Sequence, residues 1–363
     1  MEEGKEKGQQ LELRGDGKIP IISIEADNLA EAVHKTIIAC HNKGARIETP
    51  KQRHGMTLGY DADITASIKN PDAEPKVYFP GMHDDGRGVM QYILEVTHGI
   101  HNHWKKCPEH PEWWGYTYNE RFVDQLPFIF QRIKADWDAK KGQWHKGKGR
   151  PSGRDYQFGI WRAGEDIILE QEDPPCLQRG QIRFLQNSGG EMVMNYLTDW
   201  RSRDHLKAWN ENIIGQVELM KLLRDKVSSM LGVPIKLGSY IDRSSSLHLY
   251  GKYIDEDNLE NQIKQMKRDG YEKKSMSLDD YFATYNNKTA KQLKGIIAAQ
   301  MSAEYLGFGL NQAENTLRDL GYNLDKFQYP RVWDVWPKSW DAEPNRDKLA
   351  RVVDFTSLKQ LLL

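Results

Sequence analysis

The chain has 363 residues, 39% hydrophobic and 28% charged, with a formal net charge of -1, which is material for a substantial core in one large domain or two ordinary ones. That balance excludes binding of polyanions through the overall field, so any anion site must be local. No run approaches a membrane span, Met1 to Gln10 lacks the apolar stretch of a secretion signal, and three cysteines without a Cys-x-x-Cys pair fit a reducing, cytoplasmic setting.

Residues 1–18, rich in Glu, Lys, Gly and Gln, read as a disordered leader. Lys18 to Ile24 predicts a strand. Asn28 to Asn42 predicts a helix with Leu29, Ala32, Val33, Thr36, Ile37 and Cys40 on one face. Residues 57–70 alternate weakly up to Asn70-Pro71, a strand and a turn. Gly86 to Gly99 predicts a helix with Val89, Ile93, Leu94 and Val96 inward, and Phe122 to Trp137 a second. Lys140 to Gly153 is a Gly- and Lys-rich loop, and Tyr156 to Trp161 a strand. Gly180 to Gln186 and Glu191 to Leu197 flank Asn187-Ser188-Gly189-Gly190, a hairpin signal. Asn212 to Leu231 is apolar on a helical period, Leu247 to Tyr253 reads as a strand, and Asp255 to Lys326 turns helical and highly charged. The tail holds Trp333, Trp336 and Trp340 and ends in Leu361-Leu362-Leu363. This irregular alternation predicts a mixed α+β fold of α/β layers, with a large mixed sheet covered by helices.

One ordered set of residues carries chemistry. Cys176 follows Pro174-Pro175, which fix the backbone and prevent a helix there. A rigid strand entrance suits a nucleophile, and a nearby Arg favours the reactive thiolate. Taken alone, such a cysteine is more often a small buried hydrophobe. Arg201 opens Arg-Ser-x-Asp; Arg binds phosphate bidentately and Ser202 adds a hydroxyl donor, against the plain alternative of a surface Arg–Asp pair. Asn212 carries both a donor and an acceptor, as a uracil edge does, although a helix-capping Asn is common. His248 and Tyr250, two residues apart on a strand, share a face and can hold a sugar hydroxyl.

Pro-Pro-Cys, Gln181 five residues later, Arg-Ser-x-Asp, the Asn eleven residues beyond that Arg, and His-x-Tyr together resemble the thymidylate synthase family, which includes the pyrimidine nucleotide hydroxymethylases. Tyr116, five residues before Arg121, and Arg154, seven before Trp161, extend the resemblance over roughly residues 20–255. It departs where Asp155, Leu177 and Ser245-Ser246 replace the family's Arg, His and Gly-Asp. The resemblance implies a thymidylate-synthase-like layered catalytic domain over 19–255, with a mostly helical extension over 256–363. It implies a folate-dependent one-carbon transfer from 5,10-methylenetetrahydrofolate to carbon 5 of a uridine monophosphate, dUMP to dTMP, through a covalent Cys176 adduct. Arg201, Ser202, Arg53 and a partner subunit's Arg154 would bind phosphate in a homodimer, and Gln181 would support the nucleotide. Asn212 would select uracil, and His248 and Tyr250 would hold the sugar. Asp204 would bond the pterin, and Tyr116 with water would remove the carbon 5 proton. Glu95 would polarise the base; aligning on Gly99 puts Tyr92 there instead. Water attacking the same intermediate would yield a 5-hydroxymethyl product, and Leu361-Leu362-Leu363 is a candidate lid against it.

Three other readings compete. His98, His101, His103, Cys107 and His110 form a cluster with zinc-like ligands, with surface or interface histidines as the alternative; no metal is expected. Cys176 with His248 could make a cysteine hydrolase, which leaves Arg201 and Asn212 without a role. Lys140, Lys141, Lys146, Lys148 and Arg150 with Trp137 and Trp144 make a basic loop with aromatics, as in nucleic-acid binders, though a solvated loop is the simpler account.

Overall fold

Alternation of apolar and polar residues builds the central sheet. It is six-stranded, in the order β1 (Ile21–Ala26), β4 (Asp63–Ile68), β12 (Ile235–Ser244), β10 (Met192–Trp200), β9 (Leu177–Gln186) and β8 (Gln157–Gly159). β1 with β4 and β12 with β10 are parallel; the other pairings are antiparallel, so the sheet is mixed. The computed structural model describes residues 17–50, 56–99, 115–144, 154–168, 173–255, 257–286 and 297. Arg53, His101, His103, Cys107, His110, Lys146, Lys148, Arg150 and the tail from Trp333 to Leu363 lie outside them.

The period of two puts Ile182, Phe184, Met194, Tyr196, Tyr240, Ile64 and Ala66 on the buried face. Val193, Leu197, Ile241, Thr65 and Gln181 point the other way and stay half-exposed. Gly180 is required at its place: a Cβ there would lie 2.3 Å from the Phe158 ring and 2.7 Å from the Tyr196 hydroxyl.

Helices cover the buried face. α1 (Leu29–Lys43) is capped by Asn28, whose side chain accepts from the Glu31 N–H at 2.9 Å, and it buries the expected Leu29, Val33, Ile37 and Cys40 stripe. α2 (Gly86–His98), capped by Asp85 and ended by Gly99 at φ 66°, packs on α6 (Trp209–Leu231). The helix expected over Phe122 to Trp137 is two, α3 (Tyr118–Val123) and α4 (Leu126–Asp136). Pro127 sits in the first turn of α4, where it is tolerated, and Gln125 fills the break by bonding Gly159 through both its amide atoms. A short α5 (Ala163–Asp166) follows β8 and supplies Asp166 to a buried bidentate pair with Arg121.

Small ribbons complete the fold. β2 (Ala45–Pro50) pairs with β3 (Met56–Asp61), and β11 (Arg203–Asp204) pairs in parallel with β13 (Leu247–His248). The strand expected over Leu247 to Tyr253 stops at His248, and α7 (Gly251–Asp255) begins, with Gly251 pressed against Thr57 too closely for a Cβ. The loop after α4 holds a ribbon of β6 (Trp137–Asp138) and β7 (Gln143–Trp144). Trp137 and Trp144 meet edge-to-face at 5.2 Å and are buried, so this loop has no free aromatic among the described residues to stack a base. Beyond residue 256, α8 (Leu259–Asp269), α9 (Leu278–Asn286) and β14 (Ser275–Met276), which pairs with β5 (Val77–Tyr78), bury Leu259, Ile263, Met266, Tyr281 and Phe282 in the same core. No described helix is long and apolar enough to cross a membrane.

Two buried carboxylates fasten these layers. Asp242, 1% exposed, accepts from Arg203 and Trp209 on Oδ1 and from Thr198 and Tyr240 on Oδ2. Glu211 on α6 accepts from the His83 and Asp84 N–H groups ahead of α2, at 2.9 and 2.7 Å. Burial pushes its pKa up to about 7 from 4.5, with the Asp84 charge adding to the rise and the two backbone N–H groups opposing it.

Asp242→Ala should cost about 3–5 kcal/mol, the penalty of stranding a buried Arg, read as a lowered urea midpoint; a loss within the range of an ordinary surface change contradicts the clamp. Glu211 has a folded pKa above its unfolded one, so its contribution is complete below pH 4.5 and fades as pH rises through about 7. Glu211→Gln keeps the acceptor and should flatten the loss of stability between those pH values. An unchanged slope in the variant would show that another group titrates.

Candidate active site

Cys176 lies on the bend before β9, and the loop that presents it is held by an arginine. The Arg201 N–H donates to the Cys176 carbonyl at 2.8 Å, Nε to the Pro175 carbonyl at 3.1 Å and Nη2 to the Pro174 carbonyl at 2.6 Å. Prolines offer no N–H of their own to anchor this loop, so the guanidinium anchors their carbonyls instead. The cation expected to bind phosphate thus spends one edge on the Cys176 loop. Ser202 stands next to it, half-buried.

The Cys176 thiol is half-buried. Burial pushes its pKa up; the Arg201 charge pulls down, Asp173 opposes, and Arg203 and a hydrogen bond from Tyr118 pull down again. Cys40, by contrast, is fully buried, donates to the Leu247 carbonyl at 3.3 Å and is pushed far above the thiol range by burial. Tyr116 adjoins the thiol, its ring 5.9 Å from that of Tyr118 and 5.2 Å from the Arg121 guanidinium. Burial, then the charges of Cys176 and Asp173, raise the Tyr116 phenol well above its usual value. It is therefore a neutral hydroxyl that can relay a proton through water and not a standing phenolate.

Beneath the thiol, Arg203 stacks 4.1 Å over Trp200, which meets Tyr118 edge-on at 5.6 Å. On α6, Asn212 lies in the first turn, past the cap position at Ala208, so it does not cap the helix. It faces the Tyr92 hydroxyl of α2, a contact that needs Gly215, whose Cβ would otherwise lie 2.7 Å from the Tyr92 ring. Burial raises the Tyr92 phenol, with the Glu95 charge adding to it and Arg203 and Asn212 opposing. Glu95 is one turn from Tyr92 and accepts from the Gln91 amide at 3.1 Å, so both candidates from that helix adjoin the site.

Asp204 pairs with His248 across β11 and β13. Its Oδ1 accepts from the Leu206 and Lys207 N–H groups at 3.0 and 3.1 Å, and its Oδ2 from the Tyr253 hydroxyl. His248 and Tyr250 meet edge-on at 4.6 Å, and Tyr250 feels the charges of both Asp204 and Cys176. Burial lowers the His248 pKa, with Asp204 opposing; an imidazole that stays neutral can donate to or accept from a hydroxyl. Lys252 lies 5.1 Å from the Tyr250 ring and Lys207 5.9 Å from that of Tyr253.

Contacts join Cys176 and Arg201, and Tyr116 through Tyr118 and Trp200 to Arg203, while Asp204, His248 and Tyr250 meet through Tyr253, and Asn212 and Glu95 lie around Tyr92. Gln181 and Arg154 are elsewhere. Gln181 points to the half-exposed face of the sheet and donates to the Arg154 carbonyl at 2.8 Å. Arg203, Tyr118 and Tyr253, which contact these residues, and Gln216, which shares a helix face with Asn212, are the side chains that sequence reading passed over. Gln216 had a signal, since it lies one turn from Asn212 on the same face. Of the histidine cluster only His98 is described, its Nδ1 2.6 Å from the Thr97 hydroxyl, and no described group of three His, Cys, Asp or Glu converges as a metal site.

No protein-family model matches this chain, and no curated protein does. Among solved structures, thermostable thymidylate synthase A from Bacillus subtilis aligns with a TM-score of 0.43 at 15% identity, over 65% of this chain and 84% of that one.

Iodoacetamide should label Cys176 and spare Cys40, with a Cys176 rate that reaches its midpoint above pH 9, the unperturbed thiol value. Arg201→Met should move that midpoint higher, and a midpoint that stays in place would remove Arg201 from the thiol's electrostatics.

Proposed function

We propose that the chain transfers a one-carbon unit to carbon 5 of a uridine monophosphate nucleotide, with Cys176 as the covalent nucleophile. The observation that supports this reading is a half-buried thiol under the charges of Arg201 and Arg203, with the Tyr116 and Tyr118 phenols near it and the Trp200 ring between Tyr118 and Arg203. A general cysteine hydrolase needs a His on the thiol; the histidine at hand, His248, is instead set against Ser246 and Tyr250.

The Cys176 thiolate would attack carbon 6 of the ring. A sulfur–carbon bond forms, the 5,6 double bond opens toward carbon 4, and the carbonyl there becomes an oxyanion. Carbon 5 is thereby made nucleophilic, which splits one hard substitution into easier steps. Asn212 would hold the base edge, donating and accepting. The Arg201 guanidinium, with Ser202 beside it, would take the phosphate while its Nε–Nη2 edge keeps the loop in place. His248 and Tyr250 would take the sugar. Tyr116 would relay the carbon 5 proton to water.

The donor set also fits a folate. Asp204 next to the Tyr250 and Tyr253 rings, with Lys207 and Lys252 against them, suits a flat heteroaromatic ring with an acidic tail. When bound, the folate would supply a carbon at the methylene level of oxidation. A homodimer through the half-exposed face of the sheet would bring Arg154 and Gln181 to the partner subunit, and Arg154 would then complete its phosphate site.

Incubation with 5-fluoro-dUMP and methylenetetrahydrofolate should give a covalent ternary adduct on Cys176, detected by mass, and Cys176→Ala should abolish it. With dUMP, product mass separates a methyl from a hydroxymethyl group. Folded protein that binds neither ligand and yields no adduct would sink this reading.

A further inference from the structure

Three buried polar groups, on β11, α6 and α2, have atoms that the fold itself leaves unused. Arg203 is 3% exposed, yet its Nη1 has no hydrogen-bond partner. Gln216 is 0% exposed; its Oε1 accepts from the Tyr196 hydroxyl at 2.9 Å, and its Nε2 has no partner. The Tyr92 hydroxyl is sealed from solvent and faces Asn212 without making a hydrogen bond of proper geometry to it. Buried donors without acceptors are rare and costly, so each needs an account.

Their placement is linked. Arg203 gives its Nε–Nη2 edge to Ser244 and Asp242 on β12, which turns Nη1 away from that strand. Gln216 is held by Tyr196, whose ring stacks on Tyr240 at 5.8 Å, and Tyr240 donates to Asp242, the Arg203 partner. Tyr92 packs on Gly215, the residue before Gln216. Asn212, the group placed on the base edge, is one turn from Gln216. The unused donors therefore lie along one connected run of side chains that reaches the Asn212 turn of α6, and one of them carries a full positive charge.

We infer that Arg203 Nη1, Gln216 Nε2 and the Tyr92 hydroxyl form a donor niche that receives the carbonyl oxygen of the pyrimidine as it becomes an oxyanion. This rests on the nucleotide reading above and extends it to residues that the reading does not use. When sulfur bonds to carbon 6, the electron pair of the 5,6 double bond moves toward carbon 4 and the carbonyl pair moves onto oxygen. Without a one-carbon donor, carbon 5 takes a proton from water and the step reverses by losing one. Fixed donors aimed at the developing charge stabilise it without reorganising.

The test is exchange of the dUMP carbon 5 hydrogen in deuterated water, without folate, followed by NMR. It is run on the full chain beside dUMP affinity by calorimetry, Cys176 alkylation and thermal melting. Gln216→Met keeps the volume and removes the donor; Arg203→Lys keeps the charge and removes the fork. Each should lower exchange by about a hundredfold, while nucleotide affinity and, in Gln216→Met, Cys176 alkylation hold. Wild-type exchange rates in both variants overturn the niche, as for donors that merely hold an ordered water. Parallel loss of dUMP affinity and exchange in folded Gln216→Met also overturns it, because the contact then serves ground-state binding. Absence of both exchange and ternary adduct in the wild-type protein overturns the nucleotide reading and this inference together.

Discussion

The Asp242 carboxylate holds the structure's centre together. Removed from water, it accepts from an arginine, an indole, a threonine and a tyrosine that come from β11, α6, β10 and its own strand. A buried charge is tolerable only when paired and fully hydrogen-bonded. Here the pairing draws two adjacent strands, the central helix and the short β11 strand to one point. Such a network fixes geometry more than it adds net stability, since an apolar replacement of similar shape often does as well. What it fixes is Arg203, and through Trp200 and Tyr118 the wall behind Cys176.

The Cys176 loop follows the same logic at lower burial. Two prolines stiffen the approach to β9 but cannot donate, and Arg201 supplies the missing donors to their carbonyls. The same guanidinium lowers the thiol's pKa while burial raises it. Burial prevails over the guanidinium, so the Cys176 pKa is raised and the thiol form is favoured. Cys40 shows the contrasting case, a buried cysteine that serves as packing.

Elements with long apolar periods were legible: α1, α2, the β9–β10 hairpin and most of α6 follow directly from their side-chain spacing. The misreadings share a cause, which is tertiary contact overriding local pattern. Phe122 to Trp137 keeps a helical period across a break that Gln125 makes by mimicking backbone toward Gly159. Leu247 to Tyr253 keeps strand-like composition, but Gly251 turns the chain against Thr57. Trp137 and Trp144 sit beside lysines in sequence, and only the ribbon pairing shows that they face the core. Of the candidate site, Cys176, Arg201, Asp204, His248 and Tyr250 stood out in the sequence because chemistry-bearing residue types fell in a recognisable order. Arg203 was hidden inside that same Arg-Ser-Arg-Asp run, since nothing in a sequence distinguishes a solvated arginine from a buried one.

The start of α6 shows why helical period alone cannot find such a site. Asn210, Glu211 and Asn212 are three consecutive polar residues on a helix that is otherwise core, and each serves a different neighbour. Asn210 bonds the backbone of Lys76 and Tyr78, Glu211 bonds the turn before α2, and Asn212 faces Tyr92. The first two satisfy backbone groups that would otherwise be stranded, and so fix the distance between α2 and α6. Only with that distance fixed do Gly215 and Tyr92 come into contact, and only then is the Tyr92 hydroxyl delivered to Asn212. Polar residues in this helix thus differ in what their partners leave unsatisfied: both polar atoms of the Asn210 amide are bonded to backbone, whereas Nε2 of Gln216 has no partner.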